Sequence, residues 1–178
     1  MAKAKETVKN VEEVVEEVKT ETTVEAEKAA EVKEEVKTVA LQKAEAVIDY
    51  IKAQNINGIR YIEVDENNKI FESRFMIEGQ ALPLFVVVNS TVYSYIHVHL
   101  VTITPEKAAK CSGYLNELND KFPMLKYFIN NVGNVVLTCS VPAADDKFDA
   151  GLMFALVDQI KGLLEANYGE LMKKIWED

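Results

Sequence analysis

Residues 104–122 read TPEKAAKCSGYLNELNDKF. A hydroxyl residue at the N-cap position and a proline immediately after it open a helix, because the proline gives up an N–H that has no partner in the first turn. Ala108, Cys111, Leu115, Leu118 and Phe122 recur at 3-4-3-4 spacing, which places them on one helical stripe, and Pro123 ends the run. The sequence on both sides is strand-like. This helix therefore connects two β segments, and the tight links between consecutive strands predict an α+β fold with an antiparallel sheet.

Upstream, RYIEVDENNKIFESRFMIEG at 60–79 reads as a hairpin in which Ile62 and Val64 alternate with Glu63 and Asp65, Glu66–Lys69 supply the turn, and Phe71, Phe75 and Ile77 point inward. LPLFVVV at 82–88 is continuously apolar, as expected of a central strand covered on both faces. Asn89-Ser90-Thr91 turns the chain into a strand running from Val92 to about Ile103. Alternation puts Ile96, Val98 and Leu100 on one of its faces and Tyr93, Tyr95, His97, His99 and Val101 on the other.

Downstream, MLKYFINNVGNVVLTCSV at 124–141 predicts a second hairpin, closed by Asn130–Asn134 with Gly133 free to take positive φ. Val135, Leu137, Cys139 and Val141 alternate inward, and Pro142 stops the ladder. Asp145 or Asp146 is placed to cap a last helix whose apolar positions are Phe148, Leu152, Leu156, Ile160, Leu163, Leu171 and Ile175, with Gly162 and Gly169 weakening or bending it. Leu41, Ala44, Val47, Ile48 and Ile51 predict a first packed helix before the breaker at 55–58. The expected order is α-β-β-β-β-α-β-β-α, an antiparallel sheet packed against helices.

Up to Asn57 the chain has no glycine or proline, whereas all seven glycines and four prolines follow, so a compositional boundary falls before the domain. Residues 1–40 are a Lys/Glu/Val-rich tail, flexible or partly helical, and residues 41–178 are the folded domain. Valines at 8, 11, 15 and 18 and at 32, 36 and 39 form a narrow stripe that breaks at 20–23. The tail is read either as a solvated tether or as an amphipathic partner-binding helix.

With 178 residues, one core is expected. The net charge of −9 argues against nucleic acid as a partner, and no apolar run is long enough to span a membrane. The N-terminus lacks the pattern of a secretory signal, and two cysteines, Cys111 and Cys139, both at apolar-periodic positions, read as reduced and structural; the expected compartment is the cytoplasm.

No nucleophile elbow, phosphate-binding glycine loop or metalloprotease motif is present, so no enzyme activity, catalytic residue or cofactor is expected. His97 and His99, two apart on one strand, share a face and could offer two imidazoles to a metal, with a third donor from Glu63, Glu72 or another strand; two ligands alone do not make a site, and no metal is expected. More informative is the outward sheet face, where alternation gathers Tyr61, Glu63, Glu72, Arg74, Met76, Tyr93, Tyr95, His97 and His99. Tyr, Met and Arg are enriched in interface cores. Tyr61, Arg74, Met76, Tyr93, Tyr95, His97 and His99 are therefore candidates for binding a protein partner or a second copy of the chain, unless the first or last helix covers them.

Leu115-Asn116-Glu117-Leu118-Asn119, ending a helix that follows a strand and Thr104-Pro105-Glu106 and precedes a hairpin with an Asn/Gly turn, resembles the YbjN family of bacterial sensory transduction regulators. The resemblance covers about residues 41–176. It implies a cytoplasmic bacterial domain with a fold like the type III secretion chaperones, no established catalytic residues, action through protein contacts, and a homodimer as one form. Asn116 and Asn119 read as structural, their amides bonding neighbouring backbone. Beside a regulator or chaperone-like module, the alternatives are a small-ligand sensor with a pocket between sheet and helices, and a metal-dependent enzyme using His97 and His99.

Overall fold

The computed structural model describes residues 37–143 and 147–177. Positions 1–36 of the charged tail, and with them the tether and binding-helix readings, lie outside the described residues, as do Asp145 and Asp146. The elements are α1 (Val39–Ala53), β1 (Arg60–Asp65), β2 (Asn68–Ile77), β3 (Gln80–Asn89), β4 (Tyr93–Thr102), α2 (Pro105–Lys121), β5 (Lys126–Ile129), β6 (Asn134–Pro142) and α3 (Ala150–Trp176). The strands form one antiparallel sheet in the order β1-β2-β3-β4-β6-β5, so the α+β order expected from sequence is the observed one.

α2 starts as its sequence demands. Thr104 is extended and its side-chain oxygen accepts from the Lys107 N–H, with Pro105 in the first turn. Cys111 and Leu115 are buried, while Ala108, Leu118 and Phe122 pack at the edge of the core. α1 begins at Val39, two residues earlier than expected, because Thr38 caps it; the Thr38 hydroxyl also donates to the Glu66 carbonyl and so ties the helix to the β1–β2 turn.

The core lies on one side of the sheet. Phe71, Phe75, Leu82, Val86, Ile96, Val98, Leu137 and Cys139 face Ala44 and Val47 of α1, Cys111 and Leu115 of α2, and Met153, Val157, Ile160 and Leu164 of α3. Two lysines are buried there: Lys43, which the sequence reading passed over, and Lys69, which it placed in the turn although β2 already begins at Asn68. Lys43, 1% exposed, donates to the carbonyls of Asn89 and Thr91 and fastens α1 to the β3–β4 turn. Lys69 pairs with Glu63 and donates to the Asp65 carbonyl, and the Glu63 carboxylate holds its ammonium above the usual lysine range.

Several expectations change. The last helix begins at Ala150 with Asp149 as its N-cap, so Phe148 precedes it, and it runs through Gly162 and Gly169 without interruption. Its buried face is Met153, Phe154, Val157, Ile160, Leu164, Tyr168, Leu171 and Ile175; Leu152 is half-exposed, and Leu156 and Leu163 are only partly buried. The physical reason is that residues 152–164 are apolar nearly all round, so periodicity leaves the rotation of the helix open. β3 is covered on one face only: Leu82, Leu84, Val86 and Val88 are buried, whereas Phe85 and Val87 are half-buried and Pro83 is exposed.

Candidate functional site: the outward face of the sheet

The antiparallel register lines up side chains across the strands, and residues opposite one another share a face. One outward row runs Arg60, Glu72, Phe85, His97, Thr138 and Lys126 across all six strands. A second runs Ile62, Ile70, Val87, Tyr95 and Ser140. Beyond the first row, Arg74 lies opposite Pro83, and His99 opposite Val136, which in turn faces Phe128. Met76 and Tyr93 mark the ends of their strands, 59% and 46% exposed. Neither α1 nor α3 covers this surface: among the described residues, Phe85, Val87, Tyr95 and Val136 belong to no part of the core cluster.

Of the residues singled out from sequence, the structure brings Arg74, Met76, Tyr93, Tyr95, His97 and His99 onto this face, together with Glu72. Tyr61 and Glu63 are not there. β1 pairs Tyr61 with Phe71 and Glu63 with Lys69, both inward-facing, and the Tyr61 ring lies 5.2 Å from that of Phe71. The apolar residues Ile62 and Val64 mislead because β1 is an edge strand whose two faces are both largely exposed, so its alternation does not mark an inside. Val101 also leaves the face, since a bulge after His99 resets the register and sets it opposite buried Val135.

At the centre the aromatic groups pack on each other. Tyr95 and His97 stack at 5.7 Å with planes 8° apart, and Phe85 meets His99 at 5.1 Å. Val136 beneath them is 2% exposed, which gives the face a small apolar nucleus of its own. Burial lowers the His97 pKa and the charge of His99 lowers it further; burial alone lowers that of His99. Both imidazoles are thus held toward the neutral form. His97 Nδ1 and the Thr138 hydroxyl, opposite each other on β4 and β6, are buried and have no hydrogen-bond partner among the described residues.

The charges of these rows are largely positive, in contrast to the chain as a whole. Glu72 is paired with Arg60, while Arg74 and Lys126 have no carboxylate partner among the described residues, and Asp65 sits apart at the β1–β2 turn, bonded to Asn67 and Asn68. Arg60 and Arg74 flank a hollow of about 400 Å³ floored by Ala81 and Pro83. Among the described residues no third histidine, cysteine or acid joins His97 and His99 in a group able to hold a metal.

The Leu115–Asn119 run separates into two behaviours. Asn119 accepts from the Tyr127 N–H at 2.6 Å and donates to the Tyr127 carbonyl at 3.0 Å, as expected of a backbone-bonding amide. Asn116 is exposed and makes no such bond. The sequence reading missed Ile70, Phe85, Val87, Phe128, Val136 and Thr138 as members of the face. The signal was available in β6, whose alternate residues 136, 138 and 140 had only to be assigned to the side opposite Leu137. Among the described residues no helix is long and apolar enough to cross a membrane. No protein-family model matches the chain, and neither curated proteins nor solved structures give a significant match.

Proposed function

We propose that the chain is a non-enzymatic protein-interaction module, a regulator or chaperone-like adaptor of the kind that its resemblance to the YbjN family implies, working in a bacterial cytoplasm. The observation that supports this reading is the one-sided packing: the three described helices lie on one face, and among the described residues no element covers the other, which carries an aromatic nucleus. Six strands of four to ten residues, at about 4.8 Å spacing and about 3.4 Å per residue, span roughly 800 Å², the area that each partner commonly contributes to a stable complex. Aromatic and arginine side chains supply the anchors of such interfaces.

The charge of the face selects the occupant. Arg74 and Lys126 on a chain of net charge −9 favour a partner presenting apolar side chains flanked by carboxylates over a second, equally basic copy of the same surface.

The test compares the full chain with a Tyr95→Ser, Met76→Ser variant for retention of proteins from the lysate of its own organism, alongside light scattering. A protein held by the parent chain and lost by the folded variant is the expected result. Equal retention by both overturns the reading. A dimer of the parent chain that the variant converts to monomer assigns the face to self-association instead.

A further inference from the structure

On the opposite side of the molecule, independent of the sheet-face reading, α3 and the α2–β5 turn leave a cavity of about 320 Å³. Phe122, Pro123 and Leu125 form one wall, Leu156, Ile160 and Leu163 of α3 the other, and Cys139 of β6 the floor. Its origin is visible in the chain. Pro123 forbids α2 from continuing over the sheet, the Leu125 N–H closes a turn onto the Phe122 carbonyl, and Leu156 and Leu163 are left beside a space that no side chain fills among the described residues. Met124, 66% exposed, stands at the rim.

Two polar groups interrupt this apolar lining, Lys121 and the amide of Gln159. The Lys121 ammonium lies 5.2 Å from the centre of the Phe122 ring and has no carboxylate partner among the described residues. Glu117 and Glu170 line a separate hollow of about 200 Å³ that shares Lys121 and Phe122 with the first. The cavity is therefore greasy within and cationic at one end. Its volume is at the small end of the about 300–1,000 Å³ typical of small-molecule sites, suited to a single short chain and too small for a fused-ring lipid.

We infer that this cavity binds a medium-chain carboxylate, its hydrocarbon between α3 and the α2–β5 turn and its head group on Lys121 and Gln159. A charge-assisted bond from Lys121 distinguishes such a ligand from a neutral alcohol of equal length. The cavity belongs to the helix side of the sheet, so occupation would stiffen the α2–α3 contact and not cover the partner face.

Decanoate and decanol are titrated calorimetrically into the full chain, its Lys121→Met variant and its Leu163→Trp variant, with circular dichroism to confirm folding. Saturable decanoate binding is expected, about tenfold tighter than decanol, with the preference erased by Lys121→Met and binding lost in Leu163→Trp. A second measurement does not depend on any variant: decanoate should raise the melting temperature of the full chain, and decanol at equal concentration should raise it less. Absence of saturable binding, equal affinity for the alcohol, or an unchanged melting temperature overturns the inference. So does a monomer–dimer equilibrium, seen by light scattering, that Leu163→Trp abolishes, since a second copy would then be the occupant.

Discussion

Asn119 closes the exit of α2 with one amide. Its oxygen takes the Tyr127 N–H and its nitrogen gives to the Tyr127 carbonyl, so the first strand residues after the turn are paired before β5 meets β6. Removing the side chain leaves a part-buried N–H without an acceptor, and Asn119→Ala is expected to cost about 1–3 kcal/mol in urea denaturation. Asn116→Ala, at an exposed position three residues earlier, should stay within about 0.5 kcal/mol. If the two variants were equally destabilised, the backbone-clamp role of Asn119 would be refuted. The same contrast marks what one residue discloses in sequence. A repeated Asn-Leu pattern announces a helix surface, but only the arrival of Tyr127, eight residues on, decides which amide has work. Lys43 is a harsher case, because its burial depends on two carbonyls more than forty residues away.

At the scale of elements, legibility followed the strength of the local constraint. α2 could be read almost to the residue because its start, stripe and stop are each enforced by a cap, a spacing and a proline. β4 could be read as far as the bulge after His99, because one face is buried and alternation there has consequences. β1 and α3 could not: an edge strand exposed on both sides has no preferred phase, and a helix apolar on most of its circumference has several. The β5–β6 turn belongs to the legible set, and it carries a prediction. Gly133 has φ +83°, accepts from the Ile103 N–H, and a β-carbon there would stand 2.5 Å from the Ile103 carbonyl oxygen. Gly133→Ala should destabilise by more than about 1 kcal/mol, since both the dihedral and the space exclude it. Gly162, helical with nothing within 4 Å of a β-carbon, is the control: its change to Ala should stabilise by up to about 1 kcal/mol. Opposite shifts of the urea midpoint are the expected outcome, and a stabilising Gly133→Ala would contradict the turn geometry.

For the whole molecule, one-sided packing separates two kinds of titration. Asp65 and Glu177 are held below their usual values, Asp65 first by the Asn68 amide and Glu177 by Lys174, so their contribution is lost only as pH falls through the acid range below about 4. Lys69 and Lys174 are raised, first by Glu63 and Glu177, and the Tyr127 phenol is pushed up by burial to about 12, so these groups act only in alkali. Between pH 5 and 7 the shifted groups that titrate are the two histidines of the bare face. Their folded pKa values are depressed, chiefly by burial among Tyr95, Phe85 and each other, so the unfolded chain takes up protons first, near its ordinary value of about 6.5. Stability is full above that value and declines as pH falls below it, because the unfolded state then binds more protons than the folded one. The melting temperature should therefore drop between pH 7 and 5, and the drop should shrink in a His97→Gln, His99→Gln variant that keeps polar groups on the face. A drop of the same size in the variant would place the titrating groups elsewhere. A docked apolar partner would bury the imidazoles further and steepen the dependence, so the same scan repeated with a captured partner reports whether the aromatic nucleus lies inside the complex.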